Sequence, residues 1–304
     1  MVIQSLYVTK QGIDKFMKIA IVTDSRSYLP QEIVDKYNIT VVPIEVVFNT
    51  KTYREDIDIS TSEFYKLLQD SPELPSTAQP SIGEMMNIYD KLAKEGYDTV
   101  ISIHLASTIS GFVNNLKSAA QTIDNINVVV YDSHITVRLM GYLAQVAAEM
   151  AQENKPLDEI IARLDSLRSS IGESFVVNDL KNLVKGGRLS NTSAVIGTML
   201  NIKPLLEFDD ESHKIVAYDK VRSMKKAKLK AEEKLAKAMA STDYPLRLLV
   251  IDADDKTDGD QWASELKEKY PDVTLDRSYF GPVIGAHLGK DALAIAWIRD
   301  FDKS

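Results

Sequence analysis

The chain has 304 residues, 44% of them hydrophobic, and carries 36 Lys and Arg against 44 Asp and Glu for a formal net charge of −8. That content supports a sizeable core in two domains or one large one, and the acidic balance argues against general nucleic-acid binding. The lack of cysteine excludes disulfides, thiolate zinc sites and a cysteine nucleophile. No stretch approaches the roughly 20 apolar residues of a spanning helix, and the N-terminus lacks the charged start and apolar stretch of a secretion signal, so a cytoplasmic protein is expected.

Residues 1–16 read as an N-terminal extension ahead of a strong strand, Lys18 to Thr23, which ends in Thr23-Asp24-Ser25. Further strand patterns cover Ile39 to Phe48, Thr99 to His104 and Asn127 to Tyr131. Helical stretches alternate with them at Pro30 to Tyr37, Thr61 to Leu68, Ile82 to Lys94, Gly111 to Thr122 and Thr136 to Asn154. This alternation predicts an α/β domain over 17–155, with a largely parallel sheet flanked by helices. Ligands of such sheets bind beyond the carboxyl ends of the strands. Polar residues stand at three of those ends: Thr23-Asp24-Ser25, His104 to Ser107, and Asp132-Ser133-His134.

A second, smaller α/β or α+β domain is expected over 156–304. Pro156 suits the first turn of a helix that runs to about Ser169. Strands follow at Ser174 to Asn178, Lys214 to Val221, Leu246 to Asp252, Val273 to Tyr279 and Ala292 to Ile298. Helices fall near Ala194 to Met199, Ser223 to Met239 and Asp260 to Lys269.

Two hydroxyl-rich segments stand out: Ser76-Thr77-Ala78-Gln79-Pro80-Ser81 and Ser107-Thr108-Ile109-Ser110-Gly111. Each is expected to set hydroxyls and unpaired N–H groups at a helix N-terminus, which suits a carboxylate or phosphate. The plainer alternative is a pair of ordinary helix caps. No Walker loop and no GxGxxG is present, and the four His residues show no metal-ligand spacing, so no metal or cofactor is expected. Gly186-Gly187-Arg188 is either a glycine turn ending a short helix around Asp179 to Lys185 or a turn that presents a functional Arg. Ser107, Asp132 and His287 follow the chain order of an α/β-hydrolase triad. The glycine elbow that exposes such a nucleophile is missing, because its positions hold Leu105 and Ile109. His287, in a glycine-rich apolar run, is either a buried structural histidine or a partner of the bound anion. Lys220, Arg222, Lys225, Lys226, Lys228, Lys230, Lys234 and Lys237 face only Glu232 and Glu233, so this run carries 8 − 2 = +6 on an acidic chain. It is either a solvated helix face or a docking surface for an acidic partner or anionic lipid.

Six motifs in order resemble the DegV family, the fatty-acid-binding subunits of bacterial fatty acid kinase. They are Thr23-Asp24-Ser25, Thr77-Ala78-Gln79-Pro80-Ser81, Ala106-Ser107 with Ser110-Gly111, Asp132-Ser133, Lys185-Gly186-Gly187-Arg188-Leu189-Ser190, and Gly281-Pro282 through His287-Leu288-Gly289. The likeness covers roughly residues 17–300. It implies a Rossmann-like N-terminal domain and a smaller C-terminal α/β domain that completes an acyl pocket. It further implies that the carboxylate of one long-chain fatty acid is held by Thr77 and Ser107 with His287, supported by Ser76, Gln79, Ser81, Ser110 and Gly111. The partner so implied is a separate fatty acid kinase with a dihydroxyacetone-kinase-like domain, which makes an acyl phosphate for phospholipid synthesis. Transient membrane contact is implied as well, and the +6 run together with the match at Gly186-Gly187-Arg188 makes Arg188, Arg222, Lys225 and Lys226 the expected docking surface. Ala78 and Ala106 stand where the family carries hydroxyls, Phe112 replaces a Thr, and Lys290-Asp291 replaces Pro-Gly. The expectation is a lipid-binding subunit that is not itself an enzyme. The alternatives are a serine-dependent lipid hydrolase or acyltransferase using Ser107 and His287, and a phosphate or nucleotide binder.

Overall fold

The computed structural model describes residues 17–178, 180–190 and 202–303. In chain order the first elements are β1 (Ile19–Asp24), α1 (Gln31–Tyr37), β2 (Thr40–Val42), β3 (Glu45–Phe48), β4 (Lys51–Arg54), α2 (Thr61–Asp70) and β5 (Ser76–Ala78). There follow α3 (Ile82–Lys94), β6 (Thr99–His104), α4 (Phe112–Ala120), β7 (Asn127–Asp132), α5 (Val137–Gln152) and α6 (Leu157–Arg168). The remainder is β8 (Gly172–Val176), α7 (Lys181–Lys185), β9 (Lys203–Phe208), β10 (Ile215–Val221), α8 (Met224–Ser241), β11 (Leu246–Asp252), α9 (Lys256–Lys269), β12 (Thr274–Tyr279), α10 (Pro282–Leu288) and β13 (Leu293–Arg299). The expected helix at 194–199 and the extension 1–16 lie outside the described residues.

One compact unit takes the chain up to Val42, Pro80–Thr136 and Met140–Ser169. Its sheet has the order β2-β1-β6-β7, and every pair is parallel. β1 and β6 are buried along their whole length, as strands covered on both faces must be. Met85, Tyr89 and Leu92 of α3 and Phe112 and Leu116 of α4 pack with Val22, Val42 and Val100 of the sheet. Chain order reverses between β1 and β6, which places the crevice of this α/β sheet at their carboxyl ends.

The strand expected over Ile39 to Phe48 is two strands. Pro43 has no N–H to give a ladder, and the chain turns there out of the first sheet. β3 beyond it becomes the centre of a small antiparallel sheet, β4-β3-β5. The Pro43–Gln79 stretch therefore belongs to the second compact unit, together with Val137–Leu139 and the chain from Ser170 onward. The first domain is not the continuous 17–155 segment read from the sequence, and the second is not confined to 156–304.

The rest of that unit is a six-stranded sheet of order β10-β9-β8-β13-β11-β12, in which only β11 and β12 run parallel. Ala227, Ala231 and Leu235 of α8 and Trp262 and Leu266 of α9 pack on it. The fold class is as expected: an α/β domain with a parallel sheet, plus a second α/β domain of mixed strands.

Candidate functional site

Thr77 does not stand at a helix N-terminus. It lies in β5, paired with Val46 of β3, and the residue that caps α3 is Ser81, whose Oγ accepts the Glu84 N–H at 3.1 Å. Ser76 and Gln79 are exposed beside it. A strand fixes the direction of the Thr77 side chain more firmly than a loop. Its Oγ1 lies 3.1 Å from Nε2 of His287. His287 is carried by α10, and both residues are half-buried. Of the surroundings expected for His287, full burial is not what the structure shows, since the ring is half-buried.

The turn at Gly186 backs the imidazole. A Cβ at Gly186 would stand 3.0 Å from His287 Nδ1 and 2.9 Å from the Asn182 carbonyl oxygen, so only glycine fits without displacing one of them. Gly187 takes a left-handed φ of +70° and ends α7. The Arg188 Nη1 group donates to the Gly186 carbonyl, which folds the half-buried side chain back on its own turn.

Ser107 belongs to the parallel-sheet unit. α4 begins only at Phe112, with Gly111 as its N-cap, and the Ser110 Oγ accepts the Phe112 N–H. Ser107 sits in the preceding turn, half-buried, and its N–H donates to the Asp132 carboxylate at 3.2 Å. That carboxylate also accepts the His134 N–H at 3.1 Å. Asp132 is thus a brace for two turns, and the backbone donor of Ser107 is already used.

A polar chain lies buried at the switch between β1 and β6. Tyr89 donates to the Ser102 Oγ at 2.7 Å. Ser102 Oγ lies 2.7 Å from His104 Nε2, and His104 Nδ1 lies 2.7 Å from Asp24 Oδ2. Arg26 grips the same carboxylate through Nε and Nη2 at 2.7 and 2.8 Å. Burial pushes the Asp24 carboxyl up, but Arg26 and His104 outweigh it and hold it well below the usual carboxylate range. Burial raises the Tyr89 phenol, which keeps its proton and donates it. Hydroxyl to Nε2 and Nδ1 to carboxylate is the connectivity of a nucleophilic triad. Here Ser102, His104 and Asp24 are fully buried, and the edge of Phe112 closes on the His104 ring at 4.8 Å. The chain is structural, and Phe112, one of the departures from the DegV motifs, is part of its seal.

On α8 the charge run is partly spent. Lys228 pairs with Asp258, Lys230 with Glu233 and Lys234 with Glu207. Arg222, Lys225 and Lys226 are exposed at the start of the helix. Among the described residues no group of three or more acidic or His side chains could hold a metal ion, and no helix is long and apolar enough to cross a membrane.

The DegV family model, described as an uncharacterised protein of the DegV family, matches residues 18–300. The chain belongs to the DegV family. Protein DegV of Bacillus subtilis is 42% identical over 282 residues, covering 92% of this chain and 99% of that protein. A DegV domain-containing protein of Listeria monocytogenes is 44% identical over 280 residues, covering 92% and 98%. Among solved structures, the Bacillus subtilis DegV described as a fatty acid binding protein is 41% identical with a TM-score of 0.84, covering 93% of this chain and all of that one. The fatty acid binding DegV family protein of Streptococcus agalactiae is 36% identical with a TM-score of 0.87, covering 93% and 99%. In this DegV chain two of the three residues expected at the head group, Thr77 and His287, are hydrogen-bonded to each other.

Proposed function

We propose that this protein binds one long-chain fatty acid, holds its carboxylate with Thr77, Ser107 and His287, and presents it to a separate kinase for acyl phosphate formation. The observation that carries the reading is the Thr77–His287 pair at 3.1 Å, half-open to solvent, in a chain 41% identical to a DegV described as a fatty acid binding protein. When the imidazole carries its proton on Nε2, Thr77 Oγ1 accepts it and the hydroxyl proton of Thr77 is left to donate to a carboxylate. A charge taken out of water needs such donors. The tail supplies affinity, at about 0.8 kcal/mol for each CH₂ removed from water.

Arg222, Lys225 and Lys226 are proposed as the surface for the kinase or for exchange at anionic lipid. Arg222 stands just ahead of α8 and Lys225 and Lys226 in its first turn, where the helix dipole already places positive charge and no acidic residue offsets it. An anionic partner would relieve that repulsion. Leu229, 52% exposed, stands one turn beyond Lys225 and Lys226, an apolar side chain suited to the acyl boundary of a membrane surface.

Native mass spectrometry of protein purified gently from lipid-containing cells tests the cargo. About one fatty acid per chain is the expected result. Apo protein that also takes up neither oleate nor palmitate would overturn the reading.

A further inference from the structure

Glu55 stands in the charged segment Arg54-Glu55-Asp56-Ile57-Asp58, yet it is 1% exposed. Its carboxylate lies against α10, the helix that carries His287. That helix has only seven residues; its N-cap is Gly281, which has no side chain to cap it, and its first residue is Pro282, which has no N–H. Val283 is the first residue with an N–H to satisfy, and Glu55 Oε1 accepts it at 2.9 Å. A carboxylate there is also favoured by the helix dipole.

Two further contacts fix the same end. The buried Tyr65 hydroxyl donates to the Phe280 carbonyl at 2.8 Å, just ahead of the helix. Gly285 rests on that phenol so closely that a Cβ would stand 2.5 Å from its oxygen. At the far end Asn182 Nδ2 donates to the Ala286 carbonyl at 3.1 Å.

Glu55 follows β4, and Thr77 lies in β5 of the same small sheet. This sheet therefore grips α10 at both ends, through Glu55 at Val283 and through Thr77 at His287. Those residues are four apart, about 6 Å along a helix axis. Added to the contacts from Tyr65 and Asn182, these two bonds at opposite ends define where the imidazole stands relative to the threonine hydroxyl.

We propose that Glu55 is a positioning residue for His287, one that sets the geometry of the Thr77–His287 pair without touching the ligand. The proposal rests on the reading of that pair as the carboxylate holder. A residue that acts only on stability would change the melting temperature and nothing at His287. A positioning residue moves the histidine and the ligand affinity together.

The test compares E55D, which keeps the charge and shortens the reach by one carbon–carbon bond, about 1.5 Å, with E55Q, which keeps both the reach and an oxygen acceptor. The readouts are the ¹⁵N signals of the His287 ring in the apo protein, assigned with H287Q, and oleate affinity measured on folded protein. E55D is expected to shift the His287 signals and weaken oleate binding about tenfold, equivalent to 1.4 kcal/mol. E55Q is expected to restore both. G285A, which presses on Tyr65 from within α10, should move both readouts in the same direction as E55D, and it carries the test if E55D does not fold. Unchanged His287 signals and parent affinity in folded E55D or G285A overturn the proposal. T77A and H287A separate it from the reading beneath it. If both bind oleate as the parent does, the carboxylate assignment fails. If both weaken binding while E55D and G285A do not, the assignment stands and the positioning role falls.

Discussion

Two histidines of this chain sit in opposite circumstances. His104, in the parallel-sheet domain, is fully buried with Ser102 on one nitrogen and the Asp24–Arg26 pair on the other. His287, in the second domain, is half-open and meets a threonine hydroxyl. The first has the better catalytic connectivity and the worse access. Linkage of the right atoms is therefore no sign of a site on its own. What separates a site from a brace is whether a ligand can reach the groups, and the buried chain has been closed by Tyr89 above and Phe112 beside it.

The largest expected effect is at the buried chain. D24A leaves Arg26 charged and unpaired in the core, and unfolding by urea should show a loss of about 3–5 kcal/mol. Oleate bound per folded molecule should not change. If D24A instead binds poorly at full stability, the contrast between the two histidines collapses. The same carboxylate sets an acid-side limit. Its pKa in the folded protein is depressed, so its contribution is present above the unfolded value of about 3.9 and is lost as pH falls below that. D24N should flatten the stability profile in that acid range.

Next in size are T77A and H287A. Each removes a hydrogen bond to a charged group, worth roughly 1.5–3 kcal/mol of ligand binding, with little change in the melting temperature of the apo protein. Titration calorimetry with oleate reads this directly. If stability falls and affinity does not, the pair is a brace like the one around His104.

A third buried polar group sharpens the rule from the other side. Glu173 accepts the Phe208 N–H at 2.7 Å, and burial pushes its carboxyl up to about 7, against the pull of Lys234. A raised folded value means a proton held more tightly in the folded state. Stability should therefore fall as pH rises from about 4.5 through about 7. E173Q keeps an acceptor for Phe208, and should gain about 1–2 kcal/mol at pH 8 and lose that slope in pH-dependent melting. Smallest is K225E/K226E. Acidic groups in the first turn of α8 should stabilise the helix by about 0.3–1 kcal/mol each. Flotation with anionic vesicles should meanwhile weaken by about 1 kcal/mol for each cation removed. Equal flotation of variant and parent would make the run a solvated face.

Most helices and buried strands of the parallel sheet were legible because their periodicity is long and undisturbed. The short pieces were not. β5 is only Ser76–Ala78 and reads as loop, and its strand character comes from pairing with β3, a contact that sequence spacing cannot show. β9 contains Pro204, which argues against a strand by local rules. α10 holds two flanking glycines and one inside, because Gly285 must admit Tyr65. Its only local sign was Pro282 at the first helical position. The proposed head-group residues Thr77, Ser107 and His287 could be named from motif order. Glu55 and the Asp24–His104 link could not, since their meaning lies in partners 228 and 80 residues away.

The turn at Pro43 has a consequence for how the chain is made. On a ribosome, the parallel sheet can take β1, β2, β6 and β7 as they emerge, while the Pro43–Gln79 stretch comes out early and finds its partners last. At roughly 5–20 residues per second, Val46, Phe64 and Tyr65 wait roughly 10–50 seconds for α10 to be synthesised. The same detour means that a fragment cut to begin after α6 would lack both Glu55 and Thr77. It would carry His287 on a helix with nothing to hold either end of it to the small sheet.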